Sequence, residues 1–396
     1  MPVDLDSVPA KLPMPGTPRV GLWGAIALPG SLLVSGLIVV FWPENIWRQS
    51  WWFWACVLVF PLVGALSLFA FGLQAYERRR DFVGSWNRQH DERMQVLLGQ
   101  GQRTIAVLAT AYVTSAGDER LARAILGATR QMKPAFLETD GSSTCMGLLK
   151  PPAADRDVDE YRRRLRTHFA HVLKKIEPAV ARAATSGVVH VRLRHDGLLS
   201  DEAMLGQWQE ASASLQIVSQ AVIASAPHGL LWLDRWMDDA EEGPPVLSVE
   251  VNLLQQPVAG QGESVSAVLL SRSGWARQHQ WTPCAWVHRP VMINDQAAGL
   301  AEALRWGRAQ SGVLPRTWYS QVDKPFMRQL ALITHASYQP LSLDTCHGLD
   351  DCIGAPGAAI GNLALVVSSE QASTEGRAQL LLLMDSFPQA CVVRPA

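Results

Sequence analysis

The chain has 396 residues, with 35 Lys and Arg against 36 Asp and Glu and a formal net charge of -1. Near-neutrality argues against an electrostatic nucleic-acid binder, and an apolar share of 48% excludes a disordered chain. Charged residues make up only 18%, below the roughly 25% of ordinary soluble domains, so part of the apolar excess needs a home outside an aqueous core.

A tail over residues 1–19 leads to that home. From Val20 to Trp42, and again from Trp51 to Tyr76, no residue is charged, and each run is long enough as a helix to cross about 30 Å of hydrocarbon. Trp42, Trp47, Trp51, Trp52 and Trp54 crowd around the connection Pro43–Ser50, where an aromatic belt at a membrane surface would fall. A signal peptide would need a shorter apolar stretch and a small-residue cleavage site soon after it; here a bulky Trp-rich loop follows. A buried hairpin of a soluble protein is the other alternative, and two such lengths in tandem fit a globular core poorly. Residues 20–76 therefore read as a two-helix transmembrane hairpin.

Lys11 and Arg19 precede the hairpin, Arg48 alone charges the connection positively, and Arg78, Arg79, Arg80, Arg88 and Arg93 follow. The positive-inside rule then puts both ends in the cytoplasm. Residues 77–101 read as a juxtamembrane helix or linker whose arginine cluster anchors the hairpin, with a lipid-binding switch as the alternative. The six cysteines, Cys56, Cys145, Cys284, Cys346, Cys352 and Cys391, show no dense framework of the secreted kind, although an even count permits disulfides.

Beyond Gln102, β-branched runs alternate with longer amphipathic stretches. Thr104–Thr114 reads as a buried strand, the turn Ser115–Asp118 leads to a helix near Glu119–Arg130, and Asp157–Ala184 has apolar residues at helical spacing. Val188–Leu193 alternates as a strand, and Ser200 opens a helix expected to run through Ala224. Strands are expected at Gly229–Leu233, Val246–Leu254 and Ser264–Ser271, with a turn at Asp238–Pro245. A helix at Gln296–Ala309, a polar connection with Pro315 and Pro325, a helix at Ala358–Glu375 and a strand at Gln379–Met384 complete the series. Strands alternating with helices imply a layered α/β domain over residues 102–396. The sequence shows no short-period repeat.

No constellation declares a reaction. Cys346, His347 and Cys352 offer two thiols and an imidazole, but a structural zinc site needs a fourth ligand, and sequence neighbours rarely reach each other as a nucleophile and base. Gly260-Gln-Gly262-Glu263 leads into a strand and lacks the helix N-terminus of a phosphate loop. His190 and His195 flank Arg192 and Arg194 on what reads as a solvated basic edge. Glu241 and Glu242 lie in a Pro/Gly turn where a raised pKa would be hard to arrange. Trp208, Trp232, Trp236, Trp275, Trp281, Trp286, Trp306 and Trp318 read as core, with a partner surface as the rival. No catalytic residue, metal or cofactor is assigned.

Three segments, in order, resemble the thiolase and β-ketoacyl-synthase superfamily. Arg103–Asp118 with Leu121–Gly127 is similar to its first strand, turn and helix, with Gly117 in the turn. Gly260-Gln-Gly262-Glu263 and the following Ser264–Leu270 resemble its Gly-Glu-Gly-Ala turn and strand. Ile353-Gly354-Ala355-Pro356-Gly357-Ala358-Ala359-Ile360-Gly361 resembles its late Ile-Gly-His loop and Gly-Ala-Ala helix start. The departures bear on function. The family's nucleophilic cysteine falls between the first two segments, yet no Cys occurs from Met146 to Pro283. Ala355 replaces the late histidine, no His-Gly-Thr-Gly-Thr loop appears, and His335 is the one nearby candidate. The resemblance implies a thiolase-like fold without acyl-condensing chemistry.

Membrane-anchored degenerate members resemble proteins encoded beside type VI secretion effector genes in proteobacteria, thought to be accessories to effector loading. That context implies a non-catalytic adaptor at the bacterial inner membrane, its soluble domain cytoplasmic, binding an effector or another thiolase-like subunit. A membrane-associated acyl-transfer or lipid-modifying enzyme is the rival, and a purely structural scaffold is a third reading.

Overall fold

The computed structural model describes residues 3–18, 20–44, 47–127, 131–136, 143–150, 157–213, 221–224, 228–239, 243–309, 315–336 and 345–396. Two compact units emerge, one of Asp4–Leu98 and the other built mainly from Gly99–Ala396.

In the first unit, α1 spans Val20–Val40. A second helix runs without a break from Trp51 as α2 (Trp51–Trp54), a π-helical turn (Ala55–Val59) and α3 (Phe60–Gly101). By length and composition, both helices are long and apolar enough to cross a membrane. Their large apolar side chains face outward, Leu32 at 71% and Phe71 at 68% exposure, which is not how a buried core hairpin disposes them. The π turn has a local cause. Pro61 has no N–H to return to the Val57 carbonyl four residues earlier, and the Ser35 hydroxyl of α1 donates to that carbonyl at 2.6 Å. The tail is held as well: Asn87 bonds both backbone groups of Leu12 at 3.0 Å, Trp86 donates to the Ala10 carbonyl, and Lys11 pairs with Asp91 at 2.6 Å. The flanks of the hairpin thus meet on one side.

The second unit opens with β1 (Thr104–Thr114), α4 (Leu121–Leu126), the small hairpin β2 (Lys133–Phe136) and β3 (Ser143–Met146), and α5 (Val158–Ala184). β4 (His190–Arg194), α6 (Asp201–Ser212), β5 (Ala221–Ile223), α7 (Trp232–Asp238), β6 (Val246–Asn252), β7 (Ser264–Arg272) and α8 (Ser273–Gln278) follow. Next come β8 (Ala285–His288), β9 (Val291–Met292), α9 (Gln296–Trp306), β10 (Arg316–Ser320), α10 (Lys324–Ala336) and β11 (Cys346–Gly348). The chain closes with α11 (Asp350–Ile353), α12 (Ile360–Glu375), β12 (Gln379–Met384) and β13 (Pro388–Pro395).

Among the described residues one large sheet has the order β11-β10-β12-β13-β8-β1-β7-β6-β4-β5. It is a duplication. Numbering the strands of each half in chain order, β1, β4, β5, β6, β7 and β8, β10, β11, β12, β13 both lie in the order 3-2-4-5-1. In each half the fifth strand is antiparallel to its neighbours and the rest of the pairs are parallel. Antiparallel pairing of Thr104–Val107 with Ala285–His288 joins the halves.

Alternation on β7 sorts the core. Val265, Ala267 and Leu269 join the cluster under α5, α6 and α8, whereas Val268 and Leu270 join the cluster under α4, α7 and α12. On α5, Tyr161, Leu165, Phe169, Val172, Leu173, Ile176 and Val180 are all buried, as their helical spacing predicts. α12 is buried on nearly every side and touches strands of both halves, which explains why its sequence lacks a polar face.

Three expected elements differ. Gly229–Leu233 is a turn leading into α7; a five-residue apolar run does not distinguish a strand from a buried helix start. The helix opened by Ser200 ends at Ser212 and β5 follows. The connection with Pro315 and Pro325 holds β10 and α10: Pro315 immediately precedes the strand, and Pro325 sits in the first helical turn, where its missing N–H costs nothing. Arg130, Glu241 and Glu242 lie outside the described residues.

The Ser35 hydroxyl is worth most while residue 61 lacks an N–H. Ser35→Ala should destabilise the hairpin by about 0.6–1.7 kcal/mol, measured by reversible unfolding in mixed micelles. In a Pro61→Ala background, which restores the N–H, the same substitution should cost a few tenths of that; equal costs in both backgrounds would refute the pairing.

Candidate functional site

The expected motif positions converge at one end of the strands. Gly262 N–H donates to the Ala355 carbonyl at 2.9 Å, Ala355 N–H to the Gly260 carbonyl at 2.8 Å, and Gly147 N–H to the Gln261 carbonyl at 2.9 Å, with Glu263 N–H returning to Gly147 at 2.7 Å. Space is the reason for glycine at 262. Its φ is not positive; a Cβ there would lie 2.2 Å from the Ile353 carbonyl oxygen. Gly117, Gly354 and Gly357 do have positive φ, and a Cβ on Gly361 would lie 3.0 Å from a Glu250 carboxylate oxygen.

Glu263 is buried with Arg164 in an ion pair of 2.7 Å, and its carboxylate also accepts from the Leu149 and Leu254 amides at 2.9 and 3.1 Å. Asn252, at the end of β6, donates to the Gly262 carbonyl and accepts from the Ala358 amide. One carboxamide thus links the turn before β7 to the start of α12.

Beside these turns lies a set of buried charges that sequence reading did not assemble. Glu250 accepts from Arg192 at 3.2 Å and from the Asn362 amide, in the first turn of α12, at 2.7 Å. The Arg192 guanidinium lies 4.6 Å over the Trp232 ring. Arg194 pairs with Asp385 at 2.8 Å, and Asp385 also accepts from the Gly229 amide at 2.7 Å. The next amide, Leu230, donates to the Gln389 side chain at 2.8 Å. Arg192 and Arg194 therefore point inward, and β4 is flanked on both sides by strands, which corrects the reading of a solvated basic edge. Burying a carboxylate demands such partners. The alternation of β4 was a signal for one inward face, yet nothing in it named Glu250 or Asp385.

A cavity of about 450 Å³ opens here, lined by Arg194, Asn252, Leu254, Gln321, Gly357 and Asp385 among others. Gln321 has φ of 57° and donates its amide to Asp350 at 2.6 Å. Burial pushes the Asp350 carboxyl up from its ordinary value, opposed by the Ser320 hydroxyl and the Gln321 amide.

The sequence-level candidates for chemistry disperse. Cys346 and His347 are successive residues of β11, so they face opposite sides of the sheet. Burial pushes the Cys346 thiol up to about 11, while burial and then Arg316, whose guanidinium lies 2.8 Å from the ring, hold His347 below its usual value. Cys352 sits in α11 and burial raises its thiol too. His335 is exposed near the end of α10, and His195 bonds Asp201 at 3.0 Å. Among the described residues no group of three His, Cys, Asp or Glu side chains could hold a metal ion, and no disulfide joins the six cysteines. Trp208, Trp275, Trp306 and Trp318 are buried, and Trp232 stacks on Trp236. In the other unit, Trp47 and Trp51 are strongly exposed, as are Arg78, Arg79 and Arg80, while Trp42 packs edge-on against Phe53 and Trp52 against Trp51.

No family model matches this sequence and no curated protein does. Solved structures do. A ketosynthase from module 1 of the bacillaene synthase of Bacillus amyloliquefaciens FZB42 is 12% identical over 75% of this chain and 77% of its own, with a TM-score of 0.53. A β-ketoacyl synthase from Burkholderia phymatum STM815 is 11% identical over 74% and 100%, with a TM-score of 0.52. An oxazolomycin ketosynthase domain of Streptomyces albus JA3453 is 14% identical over 74% and 75%, also at 0.52.

A thiol held near 11 is almost entirely protonated at neutral pH. Alkylation of Cys346 in the folded protein should therefore rise about tenfold per pH unit from pH 7 to 10, followed by peptide mass spectrometry; a plateau below pH 8 would mean an activated thiolate. The second unit has a ketosynthase-like, thiolase-type α/β fold.

Proposed function

We propose that the protein is a non-catalytic adaptor, anchored in the bacterial inner membrane by its N-terminal hairpin, that uses its thiolase-like domain to hold a protein partner. The observation that supports this most is the elbow into α7. The resemblance calls for a nucleophilic cysteine in a small-residue elbow between the first two motif segments, and His228-Gly229-Leu230-Leu231 stand in this one. Acyl transfer needs a nucleophile and N–H donors aimed at the developing oxyanion. Here the Gly229 and Leu230 amides already serve Asp385 and Gln389, and Ala355 is tied into backbone pairing with Gly260. Groups that would carry chemistry are spent on holding the loops together.

The finer context, an accessory to type VI effector loading with an effector or a second thiolase-like subunit as partner, rests on the resemblance of membrane-anchored degenerate members. The Arg78–Arg80 cluster supports a cytoplasmic placement of both flanks, and the contacts of the tail with Trp86, Asn87 and Asp91 suit two flanks on one side.

Two experiments test this reading. The full chain in nanodiscs, incubated with acyl-CoA and acyl-carrier-protein donors, should show no acyl adduct by intact mass. A stoichiometric adduct on one cysteine would favour the acyl-transfer enzyme instead. A reporter fused after Ala396 should be active only as a cytoplasmic reporter, and activity of a periplasm-specific reporter there would overturn the orientation.

A further inference from the structure

The opposite pole of the second unit carries a different concentration of charge. β1 begins there at Thr104 and β13 ends there at Pro395, because β13 runs antiparallel to β12, whose far end carries Asp385. A cavity of about 610 Å³ at this pole is lined by Arg103, Arg277, Arg308 and Arg394, with His288 and Trp286, and no Asp or Glu is among its lining residues. Those four guanidiniums come from four separate stretches of chain: the approach to β1, α8, the turn after α9, and β13.

Three of them have neutral hydrogen-bond partners. Arg103 donates to the Met237 carbonyl at 2.9 Å, Arg277 to the Ser273 carbonyl at 3.1 Å, and Arg308 to the Gln102 side chain at 3.0 Å. Among the described residues none of the four forms an ion pair. Elsewhere the same domain behaves otherwise: Arg164, Arg192, Arg194, Arg289 and Arg316 each have a carboxylate partner. Arg103 also lies in the field of Asp238, but with no ion-pair partner the four cations repel one another, and that arrangement persists more easily where an anion completes it. Arg308 is held at φ of 51°, a conformation unfavourable for a residue with a Cβ, where a purely structural turn would take glycine.

His288 adds a second pointer. It is only 4% exposed, and its Nδ1 has no hydrogen-bond partner, while the ring bonds the Trp306 backbone. Buried polar atoms of this kind are usually satisfied. Burial pushes its pKa down to about 4, and the fields of the nearby Arg394 and Arg308 add to that.

We propose that this cavity binds a small anion carrying two or more charges, of the phosphate-ester or diphosphate class. A single carboxylate would leave most of the four charges uncompensated, and the planar guanidinium fork matches phosphate oxygens. The cavity volume falls within the range of small-molecule sites. Trp286 offers an aromatic wall to the remainder of the molecule. Phosphate of this chemistry reaches the site either as a soluble ester or as a lipid headgroup. The site lies at the other end of the strands from the loops around Gly229 and Asp385, so it stands or falls separately from the proposed function.

The test titrates the full chain, reconstituted in phosphatidylcholine nanodiscs, with inorganic pyrophosphate by calorimetry. Binding should be saturable with one site and should weaken as salt rises. Arg394→Gln and Arg308→Gly should each weaken it at least tenfold; the second also relieves the left-handed backbone, so it should melt no earlier than the parent. Arg166→Gln, on the exposed face of α5, should change nothing. In nanodiscs containing phosphatidic acid, loss of pyrophosphate binding would assign the phosphate to a lipid headgroup, and unchanged binding would assign it to a soluble ester. Absence of saturable binding, or binding that survives both arginine substitutions, would overturn the site.

Discussion

A carboxylate removed from water has to be answered by cations and amides at hydrogen-bond distance, and three such groups govern the loops at one end of this domain. Glu263 draws together α5, the segment after β3 and the segment after β6. Glu250 joins β4 to the first turn of α12. Asp385 joins β4 to the entrance of α7. Because each carboxylate recruits backbone amides as well as an arginine, removing one would leave a buried arginine and open amides together. The glycines complete the same arrangement by geometry. At 229 and 262 a Cβ would collide with Gln389 and with the Ile353 carbonyl, so these backbones approach only without side chains.

How much of this could be read from the residues follows from the range of the forces involved. β1, β6 and β7 have long β-branched or alternating runs, and α5 has helical spacing, so their burial was written locally. β8, β10 and β11 have five residues or fewer, too short for a period to register, and β13 contains prolines and an arginine. The duplication was invisible for another reason: both halves repeat the order of strands, a property of chain path, without repeating residues. The ordered glycine motifs did indicate the turns that meet, although for Gly262 the cause is contact and not backbone angle. Arg192, Arg194, Glu250 and Asp385 were beyond reach, since their pairing spans up to 191 positions and depends on strand order.

The same logic separates this domain from the ketosynthases it resembles in fold. Fold alone does not carry an activity, and a likeness of 11–14% in sequence leaves every reacting group free to change. In the turn before α7, apolar Leu230 and Leu231 stand beside amides that bond to Asp385 and Gln389 of the same chain. The two helices of the first unit, with Pro61 and Ser35 complementing each other across them, are long and apolar enough to cross a membrane.

Hydrogen exchange at the elbow tests this account most directly, because it reads the amides on which the account rests. With the full chain in nanodiscs, the Gly229 and Leu230 amides should be strongly protected, and Asp385→Asn should raise exchange at Gly229 more than at Gly262, whose amide bonds to Ala355. Rapid exchange of Gly229 and Leu230 in the unaltered protein would show donors open to a ligand, and would contradict a site closed by its own side chains.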